Sequence, residues 1–203
     1  PSMGPLHPQN AQLIDISVKR IEIFRQGEEG LVCKDNLRAD IKVAFFVRVN
    51  PTPQDVLKVA QCLGCARASD QKALVELFDA KFSEALKTVG KQFDFVELYN
   101  ERDRFKEKIL KNIGSDLNGY LLDDAAIDYL EQTPLEKLNP NNILDAVGIK
   151  KITELTAREA MSANSIRREK EMTIKKQDVA AVEVILAQDR TQREAEEKQR
   201  REI

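Results

Sequence analysis

Lys34-Asp35-Asn36-Leu37-Arg38-Ala39-Asp40-Ile41-Lys42-Val43-Ala44-Phe45-Phe46-Val47-Arg48-Val49 reads as a tight turn followed by a long strand. Asp35 and Asn36 supply the turn, because short polar side chains bond their own backbone and tolerate left-handed geometry. Ile41, Val43, Phe45, Val47 and Val49 then recur every second residue, against Lys42, Arg48 and Asn50 on the other face. A period of two is the signature of a half-buried strand. Phe46 falls on the polar face, where it could cover a helix.

Upstream, Ile14, Ile16 and Val18 alternate with Asp15, Ser17 and Lys19, which predicts a first strand. The apolar phase then moves to Ile21 and Ile23. Such a flip implies either a bulge near Lys19-Arg20 or two strands. Gln26-Gly27-Glu28-Glu29-Gly30 is a turn, and Leu31-Val32-Cys33 a short strand.

Downstream, Thr52-Pro53-Gln54-Asp55 starts a helix with Thr52 as N-cap, Pro53 in the first turn and an acid near the positive end of the dipole. It ends at Leu63-Gly64. Ser69 or Asp70 caps the next helix, whose buried stripe is Leu74, Phe78, Phe82, Ala85 and Val89. A third helix is expected from Phe95 to Asn118 with Leu98, Phe105, Ile109, Ile113 and Leu117 on one face, and Gly119 as its C′ residue. A last strand follows, with Leu121, Ala125, Ile127 and Tyr129 on one face. Thr133-Pro134-Leu135-Glu136 has the form of a capping box opening a single turn, after which Asn139-Pro140 restarts the helical pattern.

The last aromatic is Tyr129, the last Pro is Pro140 and the last Gly is Gly148. Residues before Tyr129 read as a compact α+β domain, those after Gly148 as one uninterrupted helix. At 1.5 Å per residue, residues 149–203 form a rod of roughly 80 Å. From Lys151 onward twelve Lys or Arg face eleven Asp or Glu, a mixture that favours pairing between helices over a one-sign tail. So polar a helix gains little alone. A seven-residue repeat fits poorly. An eleven-residue repeat fits better: Ile152, Ala163, Ile174 and Ile185 are eleven apart, Leu155 and Ile166 form a parallel series that fails at Gln177, and Ile149, Ala160 and Val182 another that fails at Glu171. Eleven residues in three turns favour a straight or right-handed coil. Self-association is therefore placed on Ile152, Ile166, Ile174, Val182 and Ile185. A solitary solvated helix is the competing reading.

The 203 residues carry 33 % charged and 5 % aromatic side chains, no Trp, and a net charge of -2. That balance gives no footprint for nucleic acid. No apolar run approaches the roughly 20 residues of a membrane helix, and no signal-peptide pattern opens the chain. Residues 1–10 read as an N-terminal segment, part of it vector-derived. The end at Arg201-Glu202-Ile203 falls inside a helical pattern, so more native sequence is expected to follow.

No catalytic, cofactor or metal site is assigned. Cys62-Leu63-Gly64-Cys65 is a CxxC, but structural zinc wants four ligands and the other candidates are Cys33 and His7. Small buried cysteines are the expectation, and three Cys suit a reducing compartment. Asp123, Asp124 and Asp128 are acidic, yet strand alternation sends Asp123 and Asp124 to opposite faces and leaves Asp124 and Asp128 solvated. His7 stands alone. The glycines form no phosphate loop.

The Lys34–Val49 stretch resembles the strand-turn-strand signature of SPFH (stomatin/prohibitin/flotillin, band 7) domains, where a KDN or KDG turn leads into a long alternating strand. The run Thr133-Pro134-Leu135-Glu136-Lys137-Leu138-Asn139-Pro140-Asn141-Asn142-Ile143-Leu144-Asp145-Ala146-Val147-Gly148 resembles the domain-to-helix junction of bacterial flotillin-like members. The resemblance covers the chain from about Leu6. It implies an α+β fold, a small antiparallel sheet with packed helices in residues 11–132, a junction over 133–148 and a long charged helix over 149–203. It implies a membrane anchor just upstream, large homo-oligomers, a non-enzymatic scaffold organising membrane microdomains, and membrane-protein clients. The alternative within the family is a regulatory partner of a membrane protease or transporter. A third reading, an enzyme using Cys62 and Cys65, predicts metal- or redox-dependent activity.

Overall fold

The structure is a computed structural model and describes residues 11–202. Pro1 to Asn10, with His7, lie outside the described residues. The chain forms two compact units, one reaching Lys151 and one beginning at Ile152.

In the first unit, β1 (Lys19–Arg25), β2 (Leu31–Val32), β3 (Arg38–Val49) and β4 (Tyr120–Gln132) make an antiparallel sheet. β3 is central: β1 and then β2 pair along one edge, β4 along the other. One face carries Ile21, Ile23, Ile41, Val43, Phe45, Val47, Ala125 and Leu130, all buried. Helices α1 (Pro53–Leu63), α2 (Gln71–Gly90), α3 (Phe95–Asn100) and α4 (Arg102–Ile113) follow β3. α2 lies against the sheet: Phe82 stacks on Phe45 at 4.4 Å between centroids and on Phe78 at 5.1 Å, and Phe78 meets Tyr120 edge-on at 5.3 Å. The predicted stripe Leu74, Phe78, Phe82, Ala85 and Val89 is this buried face. Thr52 caps α1 by accepting from the Asp55 amide, and Asp70 sits at the N-cap position of α2.

The other sheet face mixes charged and apolar side chains. Across the strands it shows Arg20, Phe46 and Asp124, then Glu22, Ala44 and Ala126, then Phe24, Lys42 and Tyr129. Phe46 is half-buried in that first row.

Several expectations are corrected. Residues 14–18 form no strand. Lys19 pairs Val47 and β3 ends at Val49, so little remains for them to pair with. Asp15 instead accepts from the Ser17 amide at 2.8 Å and from Lys19 at 2.6 Å, and these bonds hold its carboxyl well below the usual range. The predicted bulge lies elsewhere. β4 carries two irregularities, against Lys42/Val43 and Phe46/Val47, and the unmatched residues are Asp128 and Asp123. Each one flips the side-chain parity. Tyr120, Leu122, Ala125, Ile127 and Leu130 therefore face the core, while Leu121 and Tyr129 lie on the other face.

The expected third helix is two. Glu101 breaks it at φ −111° and ψ 49°, and Gly114 at φ +76° ends α4. Asn118 and Gly119, both at positive φ, form a tight turn in which the Tyr120 amide donates to Leu117 O. Asn-Gly is the strongest short-range hairpin signal, and the run of apolar residues at helical spacing masked it. Thr133 does not cap the 3-10 turn at Leu135–Lys137: its hydroxyl donates to Asp40. Cys62 is exposed and Cys65 half-buried, so among the three cysteines Cys33 alone fits the expectation of burial. α5 (Ile143–Arg201) starts earlier than residue 149, and the second unit consists of its length from Ile152.

Candidate interaction sites: a buried joint and an exposed helix surface

The first turns of α5 are fixed to the sheet by polar groups. Asn142 accepts from the amides of Leu144 at 3.0 Å and Asp145 at 3.2 Å, the bonds of an N-cap. Asp145 then stands in the first turn, where the helix dipole favours a carboxylate. Its Oδ1 accepts two hydrogen bonds from Arg38, at 3.0 and 2.9 Å, and its Oδ2 accepts the Asn139 amide at 3.1 Å. The Arg38 side chain is 10 % exposed and that of Asp145 4 %. Arg38 also donates to the carbonyls of Glu28 at 2.6 Å and Gly30 at 3.0 Å. Two residues along β3, Asp40 accepts from the Thr133 hydroxyl at 2.7 Å and the Gly27 amide at 2.9 Å. One buried network thus ties the β1–β2 turn, the start of β3, the end of β4 and the first turn of α5.

Backbone closeness completes the joint. A Cβ on Gly148 would stand 2.6 Å from Asn36 O. Asn36 holds φ +64° in the turn after β2. Asp35 beside it accepts the Phe95 amide at 3.3 Å, and Lys151 reaches within 3.9 Å of its other oxygen. The signal Asn142-x-x-Asp145 was present in the sequence. Arg38 was not legible as a buried partner, because an arginine at a strand's start looks like a solvated one.

The three aspartates of β4 are paired. Asp128 meets Arg20 at 2.6 Å, Asp123 meets Arg48 Nε at 2.9 Å, and Asp124 meets Lys106 at 2.9 Å. The Lys106 hydrogen bond holds the Asp124 carboxyl below its ordinary range. Opposite-face placement of Asp123 and Asp124 does not apply, since Asp123 is the unmatched residue of a bulge. Among the described residues no group of three or more His, Cys, Asp or Glu could hold a metal ion. Burial and the nearby Asp35 and Asp94 push the Cys33 thiol up to about 12.

In the second unit, Ile152 is 5 % exposed, whereas Ile166, Ile174, Val182 and Ile185 are 64, 49, 54 and 62 % exposed. Sequence reasoning on the eleven-residue repeat missed further exposed apolar residues: Met161, Met172, Val179, Val184 and Leu186. Charges along this helix give it little support of their own. Arg167–Glu171 lie 4.0 Å apart and Asp189–Arg193 3.8 Å, both pairs largely solvated. Exposed pairs of this kind contribute ~0.3–0.5 kcal/mol each. Among the described residues no helix is long and apolar enough to cross a membrane.

A sequence model of the SPFH domain / Band 7 family matches residues 5–201. The flotillin family inner membrane protein YqiK of Escherichia coli is 32 % identical over 167 residues, 81 % of this chain and 30 % of that protein. The flotillin family inner membrane protein sll1021 of Synechocystis is 24 % identical over 177 residues, 86 % of this chain and 26 % of that protein. The chain therefore spans less than a third of the length of these relatives. The match runs through both units, and the chain belongs to the SPFH domain / Band 7 family.

Proposed function

We propose that this chain is part of a membrane-associated, non-enzymatic scaffold whose copies associate side by side through the long helix. In this reading residues 11–132 are the SPFH domain, 133–148 the junction and 149–203 the associating rod. The observation that carries it is the exposure of large apolar side chains along the second unit, from 41 % at Leu155 to 73 % at Met161. A helix in water keeps such residues only at a cost, and a second helix removes it. The names of the relatives support placement at a membrane, through an anchor outside these residues. Organisation of membrane microdomains follows as the geometric consequence of a regular array, with membrane proteins as its clients.

Ile152 is already buried within the chain, so the contact falls to Ile166, Ile174, Val182 and Ile185. Light scattering tests this with Ile174→Lys combined with Ile185→Asp. The particle mass should fall toward that of one chain while helicity is retained. An unchanged mass would remove the long helix from the assembly.

A further inference from the structure

Cys62-Leu63-Gly64-Cys65 is a reactive pair that the scaffold reading leaves unused. Cysteine is among the residue types most often buried. Here Cys62 is exposed and Cys65 half-buried, while Cys33 follows the rule. Two accessible thiols three residues apart point to chemistry at sulfur. A structural zinc would need four ligands, and among the described residues no further His, Cys, Asp or Glu joins this pair into a metal-holding group.

Cys62 stands in the last turn of α1, and the chain leaves the helix at Gly64, φ +77°. Had α1 continued, Cα atoms three residues apart would lie about 5 Å from each other, inside the roughly 4.4–6.8 Å that a disulfide spans. Rotation at Gly64 therefore decides whether the two sulfurs meet. A Cβ built on Gly64 finds no atom within 4 Å, so the backbone there has room to turn. Beyond it Ala68 is held. Its amide donates to Gly64 O at 3.1 Å and its carbonyl accepts the Tyr120 hydroxyl at 2.9 Å. The motion is confined to the few residues between Leu63 and Ala68. Cys65 also lines a surface groove with Gln12, Leu13, Leu63, Gly64 and Arg67. The Arg67 side chain is 60 % exposed, and its contact with Glu76 is long at 3.8 Å. The groove thus offers a cation beside a thiol, which suits a small anionic molecule.

We propose that Cys62 and Cys65 are a reversible oxidation site whose oxidant is an anionic low-molecular-weight disulfide, RSSR. The Cys65 thiolate attacks one sulfur of RSSR, so that a Cys65–SR bond forms and RS⁻ leaves. The Cys62 thiolate then attacks the Cys65 sulfur, the Cys62–Cys65 bond forms and the second RS⁻ leaves. The two cysteine protons end on the departing thiolates as two RSH. The protein gives up two electrons and RSSR takes them. Each chain reacts once, so this is a modification and not turnover. It does not rest on self-association: a chain that stays single would still close the bond.

Glutathione disulfide tests it on the whole chain. Reduced protein is held in glutathione redox buffers under native conditions, quenched with acid, digested and weighed by mass spectrometry. The expected product is a Cys62–Cys65 linkage within one chain, with Cys33 still a thiol, and dithiothreitol restores the starting mass. Cys62→Ser should stop at a glutathione adduct on Cys65. Arg67→Glu should slow the reaction with this anionic oxidant about fivefold and leave cystamine, a cationic disulfide, no slower. No reaction in the native protein, stable adducts on both cysteines, or a disulfide joining two chains would each overturn the proposal. An unchanged rate in Arg67→Glu would overturn the anionic class of the oxidant. Cys62 and Arg67 are exposed, and circular dichroism checks that each variant keeps its fold.

Discussion

Replacing Asp145 by Asn keeps the shape of the side chain and removes the charge opposite Arg38. In the native joint the Arg38 guanidinium gives two hydrogen bonds to Asp145 Oδ1 and two to the carbonyls of Glu28 and Gly30, with 10 % of the side chain exposed. Breaking a buried pair by neutralising one partner costs ~3–5 kcal/mol, because the remaining charge is uncompensated. Arg38 keeps its two carbonyl acceptors, which places Asp145→Asn at the lower end, about 3 kcal/mol. Asp145→Ala also strips the Asn139 amide of its acceptor and should cost about 1 kcal/mol more. The assay is urea unfolding followed by tyrosine fluorescence. There is no Trp, and Tyr99, Tyr120 and Tyr129 all lie in the first unit, so the signal reports that unit alone. The double variant Arg38→Met, Asp145→Leu removes both charges and should return to within about 1 kcal/mol of the native protein. A loss below about 1 kcal/mol for Asp145→Asn would refute the reasoning, and so would a double variant no better than the single.

Three further outcomes follow from local geometry and burial. Gly119 has φ +96°, and an added Cβ would stand 2.5 Å from Asp55 O, so Gly119→Ala should lower the thermal midpoint by about 5 °C or more, whereas Asn118→Gly should be nearly silent. Burial lifts the Tyr120 phenol from 10.0 to about 12, with Cys62 adding to the effect, and lifts the Cys33 thiol from 9.0 to about 12. Both pKa values are raised in the folded state, so the stability they contribute is complete below pH 9 and is lost progressively as pH rises to about 12. Alkaline unfolding should therefore begin in that window. Thiol titration at neutral pH should find Cys62 and Cys65 reactive, with Cys33 protected until the first unit unfolds.

What could be read from sequence was what a single periodicity determines. The Ile41–Val49 alternation, the α2 stripe and the Thr52-Pro53 start all correspond to observed elements, because each is a regular pattern with its own punctuation. Failures occurred where two rules competed. Ile109, Ile113 and Leu117 keep helical spacing through Gly114, so the pattern ran on past a backbone that turns at positive φ. β4 changed faces twice because Asp123 and Asp128 are unmatched, and a bulge leaves no mark in alternation until its partner strand is known. Thr133 had a helix-capping pattern but took a buried carboxylate 93 residues away. The same applies to Arg38 and Asp145, separated by 107 residues. The eleven-residue reading followed three parallel series along the helix, and the exposed Met161, Met172, Val179, Val184 and Leu186 lie outside all three.

The most direct measurement is sedimentation velocity of the whole chain over a concentration series. Side-by-side association through the second unit predicts a weight-average mass that rises with concentration to at least twice the 23.0 kDa of one chain. A single species of 23.0 kDa throughout the series would contradict it.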